Sequence, residues 1–375
     1  MGSLIRTACC VTLVGLLACR AVTNDYAPSN DAAASSDAGD VDAGFAPTRL
    51  EPPIVHAAPD VNVTTLAGSD LFGGADGTGA AAQFDNPVGV ALDSAGALYV
   101  TEYDGGRVRK LSPDGTTTTL VSGMFEPFGI IATTEGLLIQ TDRDPSGTKG
   151  DDTGTLWRVP LTGGSPQLVA TSLGRPRGLA QLLDGRVVLS DQTLRTVSIL
   201  DLKDASVKLL AGGPLGGLVD ARGPKARFQE PYGVAVLPDG NLIISDRANH
   251  CLRKLMLDGT ETIYAGDGNP GMKDDVDRLH ARFDGPIDVV TDPIGNVYVS
   301  DIGNHRIRRI SPSGIVETLA GDGTRGFADG IGVTAKFYGQ EQLEISPDGK
   351  TLFVADGTRG EEDKPPYHRI RRISL

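Results

Sequence analysis

Short apolar runs separated by turn residues fill most of the chain. "GVAVL" at 233–237 is a continuous apolar run, "NLIISD" at 241–246 alternates, and "HRIRRI" at 305–310 alternates with arginine on its polar face. These patterns predict strands. "SPDG" at 112–115, "LPDG" at 237–240 and "LDG" at 257–259 are turn signals between them. A further strand pattern follows each turn, as in "TTTTLVSG" at 116–123 and "IVETLAGDG" at 315–323.

The pattern recurs. Residues 84–115, 228–259 and 283–314 align without insertion, and a fourth copy runs from 337 with one extra residue and a longer loop. Two weaker copies start at Met124 and Leu173. Pro87, Pro127, Pro176, Pro231, Pro286 and Gln340 anchor the six. Four strands per repeat of roughly 40–55 residues is the signature of a propeller blade. The fold expected is all-β: a six-bladed β-propeller of four-stranded antiparallel blades. "VNVTTLAG" at 61–68 is an outer-strand pattern with no blade before it, whereas the copy that includes "HRIRRISL" at 368–375 shows three strand patterns. Residues near 61–66 are therefore expected to pair antiparallel with residues near 368–374 and close the ring, removing two open strand edges.

The combination of Pro-x-Gly-Val-Ala, Gly-x-Leu-Tyr-Val-x-Asp, "NHRIRRI", "TLAGDG" and "GFADG" resembles the NHL repeat over about residues 61–375. There is looser likeness to gluconolactonase-like and lyase-type propellers. The repeat recurs in binding scaffolds and enzymes, so it implies a fold rather than an activity.

Composition narrows the function. Forty-nine glycines and 5 % aromatic residues suit many short strands with tight turns. A formal net charge of −13 argues against nucleic acid as a partner. Residues 1–18 carry Arg6 followed by a short apolar run, a pattern of export rather than of membrane spanning. Leu16-Leu17-Ala18-Cys19 resembles the lipobox of bacterial lipoproteins, which implies lipidation of Cys19 and a membrane anchor. Residues 19–58 are Ala/Ser/Asp-rich and are expected to form a disordered tether, with the propeller over 59–375. The expected setting is the bacterial cell envelope, at the outer membrane if the cell is Gram-negative, because Arg20 rather than Asp follows the cysteine. Cys9 and Cys10 would leave with the signal, so only Cys251 would remain unmodified. It sits in an alternating strand pattern and reads as a small packing residue.

Candidate chemistry is sparse. Gly266–Gly271 and Gly321–Gly326 match G-x-G-x-x-G, but each leads into the next blade rather than into a helix, so no nucleotide site is expected. Glu102, Asp142, Asp191, Asp246, Asp301 and Asp356 end the second strand of every copy. Their universality marks them as turn-shaping residues. His250, His305 and His368 also share one repeat position, which favours structure over a unique catalytic base.

Residues that differ between copies are the better candidates. The loops before the first strand and after the second are expected on one face. Tyr103, Phe128, Arg143, Arg177, Tyr232, Arg247, Asp288, Glu341 and Gln342 are the ligand-binding candidates there. The expected partner is a protein, glycan or small molecule, bound by a monomer. A metal-assisted lyase or lactonase is the alternative. Two insertions, 143–155 and 357–368, would border the same sector. In the first, Asp142, Asp144, Ser146 and Gly147 fall at positions 1, 3, 5 and 6 of a calcium-loop pattern, with Asp152 one place short of the closing acid. Ca²⁺ is thus a possible cofactor.

Overall fold

The computed structural model describes residues 61–357 and 368–375. The signal segment, Cys19, the tether and residues 358–367 of the second insertion lie outside them. Six antiparallel sheets follow one another around a ring. Their innermost strands are Pro87–Leu92, Pro127–Thr133, Pro176–Gln181, Pro231–Val236, Pro286–Thr291 and Gln340–Ile345, each starting at its predicted anchor. Proline suits that place, since the first residue of a strand need not donate to the ladder.

Closure follows the expected register. The strand Asn62–Ser69 is the outer strand of blade 6 and pairs with His368–Ser374, Asn62 opposite Ser374 and Ser69 opposite His368. A bulge between Thr65 and Ala67 bends this strand. The core is divided among the blade interfaces. Val63, Leu343 and Ile373 pack with Tyr298 and Ile307 between blades 5 and 6. Leu66, Ala355 and Ile370 pack with Val90 and Leu98 between blades 6 and 1. Comparable clusters fill the other four interfaces. The alternation read from the sequence therefore serves two apolar faces per blade, one for each neighbour.

A buried latch recurs in blades 1, 4, 5 and 6. Arg109, Arg253, Arg308 and Arg371 lie on third strands and are fully buried. Each guanidinium meets its strand-end acid, at 2.6 Å for Glu102 and 2.9 Å for Asp246, Asp301 and Asp356. Each also lies 5.1–5.4 Å from a ring centroid, on Phe84, Phe228, Phe283 or Phe337. A second acid, Asp76, Asp220, Asp274 or Asp329, reaches the same arginine from the connection that precedes the blade. Asp191, Asp246, Asp301 and Asp356 also accept backbone amides and shape turns as expected, whereas Glu102 and Asp142 accept from side chains instead. Asp246 accepts from the Gln229 amide and Asp301 from the Asp284 amide, both at 2.7 Å. Such pairing matters because a buried charge without partners costs several kcal/mol.

Blades 2 and 3 lack the latch. Trp157 and Ser198 occupy the arginine position, opposite Ile139 and Leu189. Met124 and Leu173 replace the phenylalanine, and the connections shrink to residues 123–126 and 171–175.

The repeat-equivalent histidines join blades. The Nδ1 atoms of His250 and His368 accept the amides of Gly285 and Asn86, each at 3.1 Å and each just before the next anchor proline. Cys251 is a free, buried thiol, pushed up by burial. The two G-x-G-x-x-G stretches are connecting loops, with the Gly271 and Gly326 amides bonded to Phe283 and Phe337 carbonyls.

Candidate functional site

The second residue of each innermost strand points into one mouth of the channel. Val88, Phe128, Arg177, Tyr232, Ile287 and Glu341 are all buried there. Phe128 meets Tyr232 edge-on at 5.8 Å and Tyr103 at 6.1 Å. The Arg177 guanidinium covers the Phe128 ring at 4.1 Å. Val88, Phe128, Tyr232 and Ile287 pack with Ile302 into one buried cluster, a plug at this mouth.

Arg177 is held by Asp142 in a two-bonded pair at 3.0 and 2.8 Å. Asp142 also accepts from Arg175 at 2.8 Å, Gln140 at 3.0 Å and the Tyr103 hydroxyl at 2.9 Å. Burial alone would push this carboxyl up; Arg177, Gln140 and Arg175 outweigh it and hold the pKa at about 2. Burial pushes the Tyr103 and Tyr232 hydroxyls up, so both remain neutral.

One layer deeper, four blades carry glycine and two do not. A Cβ on Gly89 would fall 2.4 Å from the Phe128 carbonyl, and one on Gly178 would fall 2.4 Å from that of Tyr232. The close approach of innermost strands requires glycine at these places. Asp288 and Gln342 take the equivalent positions in blades 5 and 6 and are buried. Gln342 reaches across the channel to the Arg177 carbonyl at 3.4 Å, and Asp288 accepts the Leu343 amide at 2.8 Å. Burial raises the Asp288 carboxyl to about 8, against the lowering effect of the Leu343 and Val289 amides.

The rim of this mouth is polar. Glu126 and Glu230, directly before their anchor prolines, have positive φ of 52° and 65°. Such a backbone is uncommon for glutamate. Each pairs with the arginine seventeen residues later: Glu126 with Arg143 at 2.7 Å and Glu230 with Arg247 at 2.6 Å. Lys149 adds a third member to the first pair, at 2.8 Å from Glu126. The second pair borders an open depression of about 320 Å³ between blades 4 and 5, completed by His250, Asp284 and the backbone of Gly285 and Gly303. Loops before first strands and loops after second strands thus meet here on one face.

The sequence-derived candidates therefore divide. Arg247 lines the depression; Phe128, Arg177, Tyr232 and Glu341 form the plug; Tyr103 and Arg143 brace it; Asp288 and Gln342 lie within the channel. Glu230, His250 and Asp284 were not among the binding candidates. The three metal candidates do not converge. Asp142 is engaged by Arg175 and Arg177, Asp144 closes its own turn through Ser146 and Thr148, and Asp152 accepts the Gly174 amide at 3.2 Å. Among the described residues, no group of three or more His, Cys, Asp or Glu side chains is placed to hold a metal.

Residues 228–255 match the NHL repeat family. "NHL repeat-containing protein 2" of Bos taurus is 25 % identical over 303 residues, which cover 75 % of this chain and 39 % of that protein. The chain spans less than half the length of the curated relatives it matches. An auxiliary nutrient binding protein from Bacteroides thetaiotaomicron superposes with a TM-score of 0.64 at 19 % identity, covering 84 % of this chain and 76 % of that one. A gluconolactonase from Xanthomonas campestris superposes with a TM-score of 0.56 at 16 % identity, covering 85 % and 91 %. These likenesses show the six-bladed fold.

Proposed function

We propose that this chain is an exported binding propeller, anchored to the bacterial envelope through a lipid on Cys19, that takes a ligand at the polar rim of its plugged mouth. The observation that carries the reading is the depression at Glu230, Arg247, His250 and Asp284, which sets donors and acceptors around open space. Its charges are only partly desolvated, so they can exchange water for a ligand's hydroxyl, carboxyl or amine groups at modest cost. Its size fits one small polar molecule, one sugar unit or one side chain of a protein. Beneath it lies the plug, in which Arg177 is already paired with Asp142.

Two features of the rim favour binding over hydrolytic or lyase chemistry. The Nδ1 of His250 is occupied as an acceptor by the Gly285 amide, and Glu230 is paired with Arg247 at 2.6 Å. A panel of lactones and esters, incubated with and without EDTA, tests this. The reading expects no turnover in either condition; turnover that EDTA abolishes would establish a metal-assisted enzyme instead. Mass spectrometry of the N-terminal peptide tests the anchor, with a diacylated Cys19 expected and an unmodified one contradicting it.

A further inference from the structure

Among the described residues, the outer edge of blade 2 is open where those of four sibling blades are covered. In blades 1, 4, 5 and 6 the preceding connection lies as extended chain along the outer strand, pairing Gly77 with Thr117, Arg222 with Thr260, Asp275 with Val316 and Gly330 with Val63. The loop acid fastens it. In blades 4, 5 and 6 the acid accepts the outward amide of Ile263, Thr318 or Thr65 at 3.0–3.2 Å. Those three residues stand opposite the latch arginines Arg253, Arg308 and Arg371.

Blade 2 preserves the register and lacks the cover. Leu168 stands opposite Trp157, with the same bulge one residue further on, and its side chain is exposed. The outer strand Gln167–Ala170 has no neighbour beyond it among the described residues. Beside it lies a cavity of about 220 Å³ whose apolar wall is Trp157, Phe125, Met124, Pro145 and Pro166, with Ser122, Thr141 and Asp144 on its polar side. This is the space that shortening of the connection to 123–126 leaves unfilled. The Trp157 Nε1 donates to Thr155 Oγ1 at 2.7 Å, so the indole asks for no polar partner in the cavity. Blade 3 has an open edge too, with Leu209 exposed, but Ser198 in place of a ring.

We propose that the outer edge of blade 2 is a docking site for an extended peptide segment of a partner protein. The segment supplies from outside the strand that four sibling blades receive from their own chain, a form of strand addition. Its backbone pairs with the Leu168 amide, and an apolar side chain enters the Trp157 cavity where the loops of the other blades place aspartate. Apolar rather than acidic chemistry follows from the exchange of arginine for tryptophan. The site rests on the reading of the propeller as a binding scaffold but lies apart from the rim.

The chain has one tryptophan, so its emission reports on this cavity alone. The probe is a synthetic peptide with the sequence of residues 325–337 carrying Asp329→Leu, and the unmodified peptide is the control. The leucine peptide should shift Trp157 emission to the blue and saturate, binding about tenfold more tightly than the control. Leu168→Pro removes the outward amide at an edge position that tolerates proline, and should weaken binding about tenfold while leaving the melting temperature within about 2 °C. Absence of a saturable shift up to about 1 mM overturns the proposal, as does binding that survives Leu168→Pro. If the peptide fails while a rim ligand still binds in an Arg247-dependent way, only the edge site falls.

Discussion

Val63 stands opposite Ile373 in the ladder that closes the ring, and both are fully buried at the interface with blade 5. The first strand of the propeller thus completes its last blade. Deleting residues 20–58 should leave the unfolding temperature unchanged, whereas deleting 20–67 should lower it sharply by baring the edge of His368–Ser374. Val63→Asp should cost about 3 kcal/mol or more in denaturant unfolding, because an unpaired carboxylate would enter the core.

Arg308 connects Asp301 of its own blade to Asp274 of the preceding connection. Arg308→Ala should destabilise by about 3–5 kcal/mol, since it leaves Asp301 buried and uncompensated. The doubly altered Arg308→Met, Asp301→Asn chain should recover much of that loss. Equilibrium denaturation of the three chains measures it.

Asp142 depends on Arg177 in a pH-sensitive way. Its folded pKa lies below the ordinary carboxylate value, so its contribution is present above about pH 4 and is lost as the pH falls towards 2. Arg177→Met should cost about 3–5 kcal/mol near neutrality. The difference from the parent should shrink as the pH falls and close by about pH 2, read from melting temperatures across that range.

Asp288 has the opposite sign. Its folded pKa of about 8 exceeds the unfolded value, so the folded state holds a proton that the unfolded state has released, and stability declines from about pH 4 to about pH 8. Asn can still accept the Leu343 amide and does not ionise. Asp288→Asn should therefore match the parent near pH 4 and be the more stable chain at pH 8, by thermal unfolding.

The blade count, the anchor positions and the ring closure were legible because each rests on local pattern: period-two alternation, turn residues, and one strand pattern missing from one copy. The structural role of the strand-end acids was legible from their presence in every copy. Burial of Phe128, Arg177, Tyr232 and Glu341 was not, because variable residues in Gly-rich turns read as surface. Only the convergence of six strands on one axis buries them. The rim pairs do carry a sequence signal: Glu126 to Arg143 and Glu230 to Arg247 repeat one spacing of seventeen residues. Trp157 left another, since phenylalanine, aspartate, arginine and the long connection vanish together from copies two and three.

The central claim is that a ligand binds at the rim without being transformed. A thermal-shift screen of sugars and small polar metabolites, followed by calorimetric titration of each hit, tests it most directly. A hit is expected whose affinity falls by at least about tenfold in Arg247→Ala and in Asp284→Ala, persists in Trp157→Phe, and is recovered chemically unchanged. Hits indifferent to both rim substitutions, or a hit consumed during the titration, would contradict it.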